Sequence, residues 1–251
     1  MTLNLWGINR WEDRRSAVVE WVNEVRPDLL ALQEVVRTGG LCQASWIAAH
    51  TQMTATFGAA SITNDGGEFG NAVLSRLPLI RSHRHRLTDA ATGNEPRALI
   101  SVEVEAFGRD LEFSSMHLSW RFDEGWIRER QVHDIADIVR PHSRDLPPIV
   151  CGDFNATPES AEVQFMTELQ LVDAFAAANP SRPGYAWNPG YTWNNANPFA
   201  AAEQEPDRRI DYIFAGVRVL SADVVCDEPR GGAWPSDHFG VAAKLLLPDR
   251  E

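Results

Sequence analysis

The sequence predicts an α/β fold in which two packed β-sheets are flanked by helices. Strand-like and helix-like stretches alternate along the chain, and strands outnumber long helices. One strand is a continuous apolar run of the kind that is buried on both faces, whereas others resemble hairpins, so the pairing is mixed. These observations favour two packed sheets over one parallel sheet. The 251 residues, of which 44% are hydrophobic, suit one large domain over residues 1–251.

The first part of the chain alternates between strand and helix. The segment "TLNLW" (Thr2–Trp6) is strand-like. Apolar residues recur at helical spacing over Trp11–Val25, and Pro27 ends this predicted helix. A continuous apolar strand follows at Asp28–Val35, and Gln43–His50 is predicted to be helical.

The rest of the chain begins with a strand-rich region and ends with three strands. Short β-rich runs occupy Gly70–Arg76, Ala98–Phe107 and Asp110–Leu118. Helical spacing returns over Asp123–Val139. The remaining predicted elements are a strand at Pro148–Asp153, a helix near Glu159–Leu169, an irregular segment at Asn179–Pro206, and strands at Arg208–Gly216, Val217–Asp227 and Phe239–Leu247.

Charge and composition limit the classes of partner and compartment. The net charge of −12 lowers the expectation of a sequence-independent DNA binder, although a local basic groove can dominate at contact distance, and it favours cations. No segment has the apolar length that crosses a bilayer, so we expect no stable membrane insertion. The N-terminus does not resemble a signal peptide, and three cysteines without metal-like spacing are expected to be reduced thiols. We therefore expect a cytoplasmic monomer.

The segment "PIVCGDFNATPES" places two polar groups directly after a buried strand. Residues two apart in an extended chain point to the same side, so Asp153 and Asn155 can face one pocket. A carboxylate there can hold a metal ion or take a proton from water, and an amide can orient the attacking oxygen. The alternative is a Gly-Asp-x-Asn turn in which both side chains cap backbone groups.

The same feature recurs at other predicted strand ends, which favours a functional site over unrelated caps. Each residue alone has a common structural explanation, such as a surface ion pair or a hydrogen-bonded core group. Together, six strand ends that supply acids, amides and histidines fit a site better. Besides Asp153 and Asn155, the set comprises Asn4, Glu34, His117, Asp211, Asp237 and His238.

The donor types in this set point to phosphoester chemistry. Carboxylate and amide oxygens suit Mg²⁺ or Mn²⁺ rather than zinc. The sequence has no G-x-S-x-G elbow, no Walker loop and no G-x-G-x-x-G. A hard metal ion combined with aspartates, an asparagine and two histidines suits the attack of water on a phosphoester.

The ordered set of motifs resembles the endonuclease/exonuclease/phosphatase superfamily, which contains pancreatic deoxyribonuclease, abasic-site endonucleases, sphingomyelinases and inositol-polyphosphate phosphatases. The motifs are "LNLWG", "LLALQEV", "GNAVLSRLPL", "SSMHLSW", "VCGDFNATP", "RRIDYIF" and "WPSDHFGV", and they span nearly the whole chain. Abasic-site endonucleases place a tyrosine where "MHLSW" carries His117. The chain therefore looks more like the sphingomyelinase, deadenylase and deoxyribonuclease-like branches.

The resemblance implies a four-layer α/β/β/α sandwich with a metal site at one edge of the two sheets. It implies that Glu34 holds Mg²⁺, for which Mn²⁺ is an expected substitute, with Asn4 and Asp237 as nearby members of the metal site. It also implies that Asn71, in "GNAVLS", lines the phosphate site.

The resemblance also implies a division of catalytic roles. Asp153 would activate the attacking water, and Asn155 would orient that water or contact the phosphate. His238, paired with Asp211, would donate to the phosphoryl oxygens. His117 would contact the substrate and stabilise the charge of the transition state.

The sequence leaves the substrate open. We expect a phosphodiesterase acting on a phosphoester, with nucleic acid as one possibility. The alternatives are a phosphomonoesterase, a sphingomyelinase-like lipid phosphodiesterase, or a non-catalytic module that binds metal or phosphate. The aromatic, Asn-rich segment Tyr185–Asp207 either stacks a substrate group or packs as a loop onto the sheet.

Overall fold

The structure, a computed structural model, describes residues 1–89, 95–139, 145–180 and 189–248. Residues 185–188 of the predicted aromatic segment, and 181–188 of the predicted irregular segment, lie outside these ranges. Within them, the helices are α1 (Trp11–Val25), α2 (Gln43–Thr51), α3 (Gly125–Val139), α4 (Ala161–Glu168), α5 (Ala174–Ala178) and α6 (Pro198–Ala201). The strands are β1 (Thr2–Asn4), β2 (Leu29–Thr38), β3 (Leu41–Cys42), β4 (Thr54–Ile62), β5 (Glu68–Ser75), β6 (Leu79–Arg86), β7 (Ala98–Glu105), β8 (Asp110–His117), β9 (Ile149–Asp153), β10 (Val172–Asp173), β11 (Asp211–Ala215), β12 (Arg218–Val225) and β13 (Gly240–Leu246).

The described strands form two mixed sheets. The first sheet has the order β12-β13-β1-β2-β5-β4, with β3 paired to β2. The second has the order β10-β11-β9-β8-β7-β6. The central pairs β1–β2 and β8–β9 are parallel, whereas their outer neighbours pair antiparallel. The prediction of two packed mixed sheets is therefore confirmed.

Three hydrophobic clusters define the four layers of the sandwich. One lies between the sheets and joins Val73 of the first sheet to Ile100 and Phe113 of the second. Another packs α1 and α2 on the outer face of the first sheet, and a third packs α3 and α4 on the outer face of the second. Burial on both faces explains why the central strands are nearly continuous apolar runs. The layer order is helix, sheet, sheet, helix, as expected.

Two of the edge strands, β4 and β6, were not predicted. β4 is mostly half-buried on small residues and has no regular alternation, and β6 is exposed along almost its whole length and carries three arginines and two histidines. Neither strand therefore shows the alternation on which sequence patterns depend. Of the two "HRHRL" histidines, which lie on β6, His83 is exposed as predicted and His85 is half-buried.

The topology brings the predicted polar residues to one end of the sandwich. Strands β1, β8 and β9 end there, β2 passes through with its irregularity at Glu34 and continues to Thr38, and β11 and β13, which run antiparallel to their neighbours, begin there. His117 therefore lies opposite Asp153 in register, and Asp211 lies opposite Asp153 on the other side.

The structure also bears on two expectations from the sequence, one about membrane-crossing segments and one about the cysteines. Among the described residues, no helix combines the length and apolarity that crossing a membrane requires. Cys42, Cys151 and Cys226 are all free thiols, as expected.

Candidate active site

The carboxylate of Asp153 lies at the centre of the candidate site and is buried. Its Oδ1 accepts the backbone N–H of Asn155 at 2.8 Å, and its Oδ2 accepts from Asn4 Nδ2 at 3.0 Å. The Nε2 atoms of His117 and His238 approach Oδ2 from two sides, at 3.6 and 3.8 Å. Burial, then the nearby Asp211 carboxylate, raises the pKa of Asp153 to about 7.

Gly152 explains why this strand can lie so close to its neighbour. Its φ of +147° is one that side-chain-bearing residues rarely adopt, and a Cβ there would lie 1.9 Å from the Met116 carbonyl oxygen. Glycine thus permits β9 to pack against β8 just before Asp153. Asn155 has a φ of 50°, which turns the chain sharply after the carboxylate.

Glu34 reaches the site through an irregularity in β2. The register of β2 against β5 shifts between Leu32 and Val35, and Glu34 has a φ of 55°. Such strain in a non-glycine residue persists where the surrounding structure holds it and is common at functional sites. Asn4 Nδ2 donates to Glu34 Oε1 at 3.2 Å, while Asn4 Oδ1 accepts the Trp6 N–H at 2.9 Å. The Asn4 amide therefore ties Glu34 to Asp153.

His238 is held by a buried carboxylate. Its Nδ1 lies 2.9 Å from Asp211 Oδ2, and the Trp193 ring packs edge-on against the imidazole at 5.1 Å between centroids. Burial alone would lower the pKa of His238, but the carboxylates of Asp211, Asp153 and Asp237 outweigh it and raise that pKa well above its usual value. These carboxylates therefore favour the charged form of the ring.

His117 lies beside a cationic side chain, whereas His238 lies beside a carboxylate. Arg97 NH1 lies 3.2 Å from His117 Nδ1, and Asn155 Nδ2 lies 3.0 Å from His117 Nε2. Burial, with a further contribution from the Arg97 charge, lowers the pKa of His117 well below its usual value. The surroundings of the two histidines beside Asp153 thus shift their pKa values in opposite directions.

Asp237 completes the acidic part of the site. It is buried, and it accepts a hydrogen bond from Ser236 Oγ at 3.1 Å. Burial is the main cause, and Glu34 a further one, of a pKa raised to about 6. Arg14, also buried, donates to the carbonyls of Pro235 and Gly7 at 2.8 Å and so fixes the loops that carry these acids.

Of the predicted site residues, Asn71 is the one that the structure places apart from the Asp153 cluster. Its Nδ2 donates to the carbonyl of Ala98 at 2.6 Å, across the space between the sheets. The Asn71 side chain therefore holds Ala98, the residue that follows Arg97, rather than contacting Asp153. The remaining predicted residues meet at one end of the sandwich.

Arg97 and Arg14 are site residues that the sequence analysis missed. Arg97 comes directly before β7, which runs antiparallel to β8, so the start of β7 lies beside the end of β8. The strand-end argument would have found Arg97 had this pairing been known. Arg14 lies within α1, where helical spacing marks it as an ordinary polar position.

The described part of the aromatic segment forms one wall of the site and also packs onto the fold. Trp193 contacts the His238 ring, and Asn197 Nδ2 donates to the carbonyl of Ser236 at 2.7 Å. Phe199 stacks on Trp6 at 4.6 Å. These contacts show the packing role of the segment, and Trp193 places an aromatic ring directly beside a candidate catalytic histidine.

A cavity of about 330 Å³ opens beside the cluster. Glu34, Arg97 and His117 line it, together with Trp120, whose ring is 48% exposed. A substrate group in this cavity would lie against both a candidate metal ligand and a candidate transition-state donor.

The described residues include one group of acids and histidine that can hold a metal ion. One ligand atom from each of Asp153, Asp211 and His238 lies within 4.8 Å of the others. Asp211 and His238 already hydrogen-bond to each other, whereas Glu34 and Asp237 are two further carboxylates close enough to interact, and such oxygens suit a hard ion.

Comparison with known proteins gives a family match over most of the chain. The sequence model described as "Endonuclease/Exonuclease/phosphatase family" matches residues 1–238. Nocturnin from Rattus norvegicus is 27% identical over 263 residues, covering 92% of this chain and 58% of that protein. Nocturnin from Homo sapiens is 25% identical over 271 residues, covering 96% and 59%. The chain thus spans less than two thirds of the length of these relatives.

Solved structures share the fold. An endonuclease/exonuclease/phosphatase from Bacteroides vulgatus superposes with a TM-score of 0.77 at 20% identity, covering 98% of this chain and 97% of that one. The human Nocturnin catalytic domain with bound sulfate anion gives 0.73 at 22%, covering 98% and 92%. TDP2 from D. rerio, complexed with single strand DNA product, gives 0.74 at 20%, covering 98% and 97%.

Proposed function

Because the chain belongs to the Endonuclease/Exonuclease/phosphatase family, a family of phosphoester hydrolases, we propose that it cleaves phosphodiester bonds by metal-assisted attack of water. The observation that carries this proposal is the convergence on Asp153 of Asn4, His117 and His238, which come from distant parts of the chain. We further propose that residues 1–251 act as one domain, as a cytoplasmic monomer.

The donor set fits a divalent metal ion. Asp237 lies close enough to Glu34 for that charge to raise its pKa, and a cation between them would relieve the repulsion. Carboxylate oxygens are the ligands that Mg²⁺ prefers, with Mn²⁺ as a substitute. Glu34 and Asp237 would hold the ion, and Asn4 belongs to the same site through its contact with Glu34. When bound, such an ion supplies neutralisation of charge on the phosphoryl oxygens.

Asp153 is the general base of the proposed mechanism. A base works best when its pKa lies near the working pH, and burial raises the pKa of Asp153 to about 7. Oδ1 accepts the Asn155 N–H and Oδ2 accepts from Asn4 Nδ2, and because Oδ2 is the oxygen that faces both histidines, it is the atom assigned to take the proton from water. The Asn155 side chain, beside His117, orients that water or the phosphate.

The histidines stabilise the phosphoryl group. His238, oriented by Asp211 through Nδ1, presents Nε2–H towards the centre of the site. His117 presents Nε2 from the opposite side. Donors fixed in advance at the position of developing charge are the largest single contribution expected for phosphoryl transfer. Asn71 stays a prediction for the phosphate site, and it would act there through Ala98, which follows the cavity-lining Arg97.

Two observations bear on the substrate class. TDP2 from D. rerio has been crystallised in complex with a single strand DNA product, and nucleic acid is one candidate substrate for this chain. The net charge of −12 favours a smaller phosphodiester. A phosphomonoesterase or a lipid phosphodiesterase remains the competing assignment.

A substrate panel with and without chelator tests the proposal. The panel holds plasmid, single-stranded DNA, RNA, bis-(p-nitrophenyl) phosphate, p-nitrophenyl phosphate, sphingomyelin and inositol phosphates. We expect hydrolysis of diesters in Mg²⁺ that chelator abolishes. Hydrolysis of monoesters alone would replace the diesterase assignment, and tight Mg²⁺ binding without any hydrolysis would indicate a binding module.

Variants connect the activity to the site. We expect Asp153→Asn and His238→Ala each to lower kcat by at least about 10²-fold, the scale of losing one catalytic group. Asp110→Asn is the matched control, because Asp110 is exposed at the opposite end of β8. Near-normal rates for either site variant, with saturating Mg²⁺, would defeat the assignment.

A further inference from the structure

The cavity beside the Asp153 cluster has an aromatic wall that the proposed mechanism does not use. This wall is the indole ring of Trp120, which lines the cavity together with Glu34 and His117. The ring is 48% exposed, although a large aromatic side chain gains free energy when it is covered. Because Glu34 and His117 belong to the proposed site, a group bonded to the reacting phosphorus has room to lie against Trp120.

The exposed ring of Trp120 is held in one orientation. Its Nε1 donates to Glu95 Oε2 at 2.7 Å, and the Arg121 guanidinium lies over the ring, 5.0 Å from its centroid. Glu95 Oε1 also lies 3.6 Å from Arg121 NH2, so one carboxylate holds both the indole and the cation that covers it. The protein thus orders an exposed aromatic surface before any ligand binds, which lowers the entropic cost of stacking on it.

The rest of the cavity lining suits a planar ring. Phe69 and Pro96 add apolar surface, whereas Ser61, Glu95 and Arg97 add polar groups that can bond to the edge of a ring. The cavity volume of about 330 Å³ is roughly twice that of an apolar cavity of about 150 Å³ that binds benzene, which leaves room for one or two fused rings. Stacking acts at contact distance, so the net charge of −12 does not oppose it.

We propose that Trp120 is the stacking surface of a substrate subsite, and that this subsite takes a planar aromatic group carried by one ester arm of the phosphodiester. Two kinds of substrate share this chemistry, because the planar group is either a nucleobase or the ring of an aryl ester. Trp120 then determines specificity by binding, while bond cleavage stays with the Asp153 cluster. This inference rests on the proposed phosphodiesterase function.

Trp126 shows that exposure alone does not single out Trp120. The Trp126 ring is also 48% exposed, and an arginine, Arg130, also lies near it, 5.5 Å from its centroid. Trp126 belongs to α3, however, and is not one of the residues that line the cavity. The position beside the catalytic cluster, together with the hydrogen bond to Glu95, distinguishes Trp120. Trp126 is therefore the matched control for every Trp120 variant.

The first test measures the binding of two non-hydrolysable probes to the full chain in Mg²⁺ by calorimetry. Phenylphosphonate and cyclohexylphosphonate carry the same anion on a planar and on a saturated ring of similar size. We expect phenylphosphonate to bind at least about 5-fold more tightly, the lower end of the range for stacking on an aromatic side chain. Trp120→Phe should keep most of this preference, Trp120→Leu should remove it, and Trp126→Leu should leave it unchanged.

Simple apolar burial predicts the opposite order of the two probes, because the saturated ring has the larger apolar surface. Equal affinities in the wild type, or no binding of phenylphosphonate, would therefore overturn the inference. An undiminished preference in Trp120→Leu would overturn it as well, since the planar group would then lie elsewhere.

A second pair of probes distinguishes the two sources of the planar group. Adenosine 5′-monophosphate and ribose 5-phosphate differ only in the base. If a nucleobase occupies the subsite, the nucleotide should bind at least about 5-fold more tightly, and Trp120→Leu should remove that difference. Equal affinities for this pair, together with the preference for phenylphosphonate, would support the subsite and assign it to an aryl ester.

Turnover of bis-(p-nitrophenyl) phosphate gives an independent measurement. We expect Trp120→Leu to raise KM by at least about 5-fold and to change kcat by less than about 3-fold, because stacking stabilises the bound substrate and the transition state alike. A lower kcat at unchanged KM would contradict a binding role. If Trp120→Leu does not fold, the wild-type probes and Trp120→Phe still decide. If the wild type hydrolyses no phosphoester, the proposed function fails, whereas the probes still report whether Trp120 binds a planar group.

Discussion

Gly152→Ala is the substitution for which the structure makes the sharpest forecast. The added Cβ would lie 1.9 Å from the carbonyl oxygen of Met116 and 2.9 Å from its carbonyl carbon, both backbone atoms. The residue also has a φ of +147°, which strains any side chain. Because backbone cannot move aside as a flexible side chain does, β9 must separate from β8 by roughly 1.5 Å to reach an ordinary contact distance.

A separation of this size breaks hydrogen bonds beside the catalytic carboxylate. The Leu118 N–H donates to the Asp153 carbonyl at 2.9 Å, and lengthening that bond by roughly 1.5 Å takes it beyond hydrogen-bonding range. Each buried backbone group left without a partner costs about 1–3 kcal/mol, so the donor and the acceptor of that one bond together cost roughly 4 kcal/mol. This is a large part of the stability of a typical domain.

Thermal unfolding followed by circular dichroism measures the effect. For a chain of this size, roughly 4 kcal/mol corresponds to a fall in melting temperature of about 10–15 °C. Gly125→Ala is the control, because Gly125 begins α3 and the nearest atom to its new Cβ is a flexible Arg128 nitrogen at 3.6 Å. We expect that control to leave the melting temperature unchanged or slightly raised. A Gly152→Ala variant that melts within about 2 °C of the wild type would refute the reasoning.

Three further predictions concern the site and the layer around it. Asp211→Asn removes the carboxylate that orients His238. We expect kcat to fall by at least about 10²-fold while the melting temperature stays within a few degrees. An unchanged kcat would contradict the role of the Asp211–His238 pair. Mg²⁺ at about 100 times its Kd should raise the unfolding free energy by about 2.7 kcal/mol in urea titrations. Glu34→Gln should remove most of that increment. An undiminished increment in the variant would mean that the ion binds elsewhere. Arg128→Met leaves the Glu162 carboxylate buried without its 2.7 Å partner, and it should lower the unfolding free energy by about 3–5 kcal/mol in the same titration. The double variant Arg128→Met with Glu162→Leu should recover much of that loss. Equal stability of the single and double variants would contradict a buried ion pair.

Much of the fold followed from the sequence where a single element carries its own pattern. α1 spans Trp11–Val25 in the structure as predicted, because one apolar face repeats at helical spacing. β8 and β9 appear where predicted, because central strands are buried on both faces and thus read as apolar runs. β4 and β6 were missed, since strands that are only half-buried or exposed do not form continuous apolar runs.

The candidate site was predictable in its membership but not in its contacts. Polar residues at strand ends marked Asp153, His117 and His238, because a buried strand seldom ends on such groups without a use for them. The same rule did not reveal Arg97, which comes before its strand rather than after it. Nor did it reveal that Asn71 would bond to Ala98, since the distance between two sheets is not encoded in either strand.

The sequence by itself determined the alternation of elements, the glycine that precedes Asp153, and the chemical types of the site's donors, because each of these is a property of neighbouring residues. Only the tertiary structure decided which donors meet. Asn4 reaches Asp153 across 149 positions of chain, and Arg97 reaches His117 across the β7–β8 pair. Such contacts depend on strand direction and register, which the packing of both sheets fixes together, and they determine which atom of each histidine is free to act.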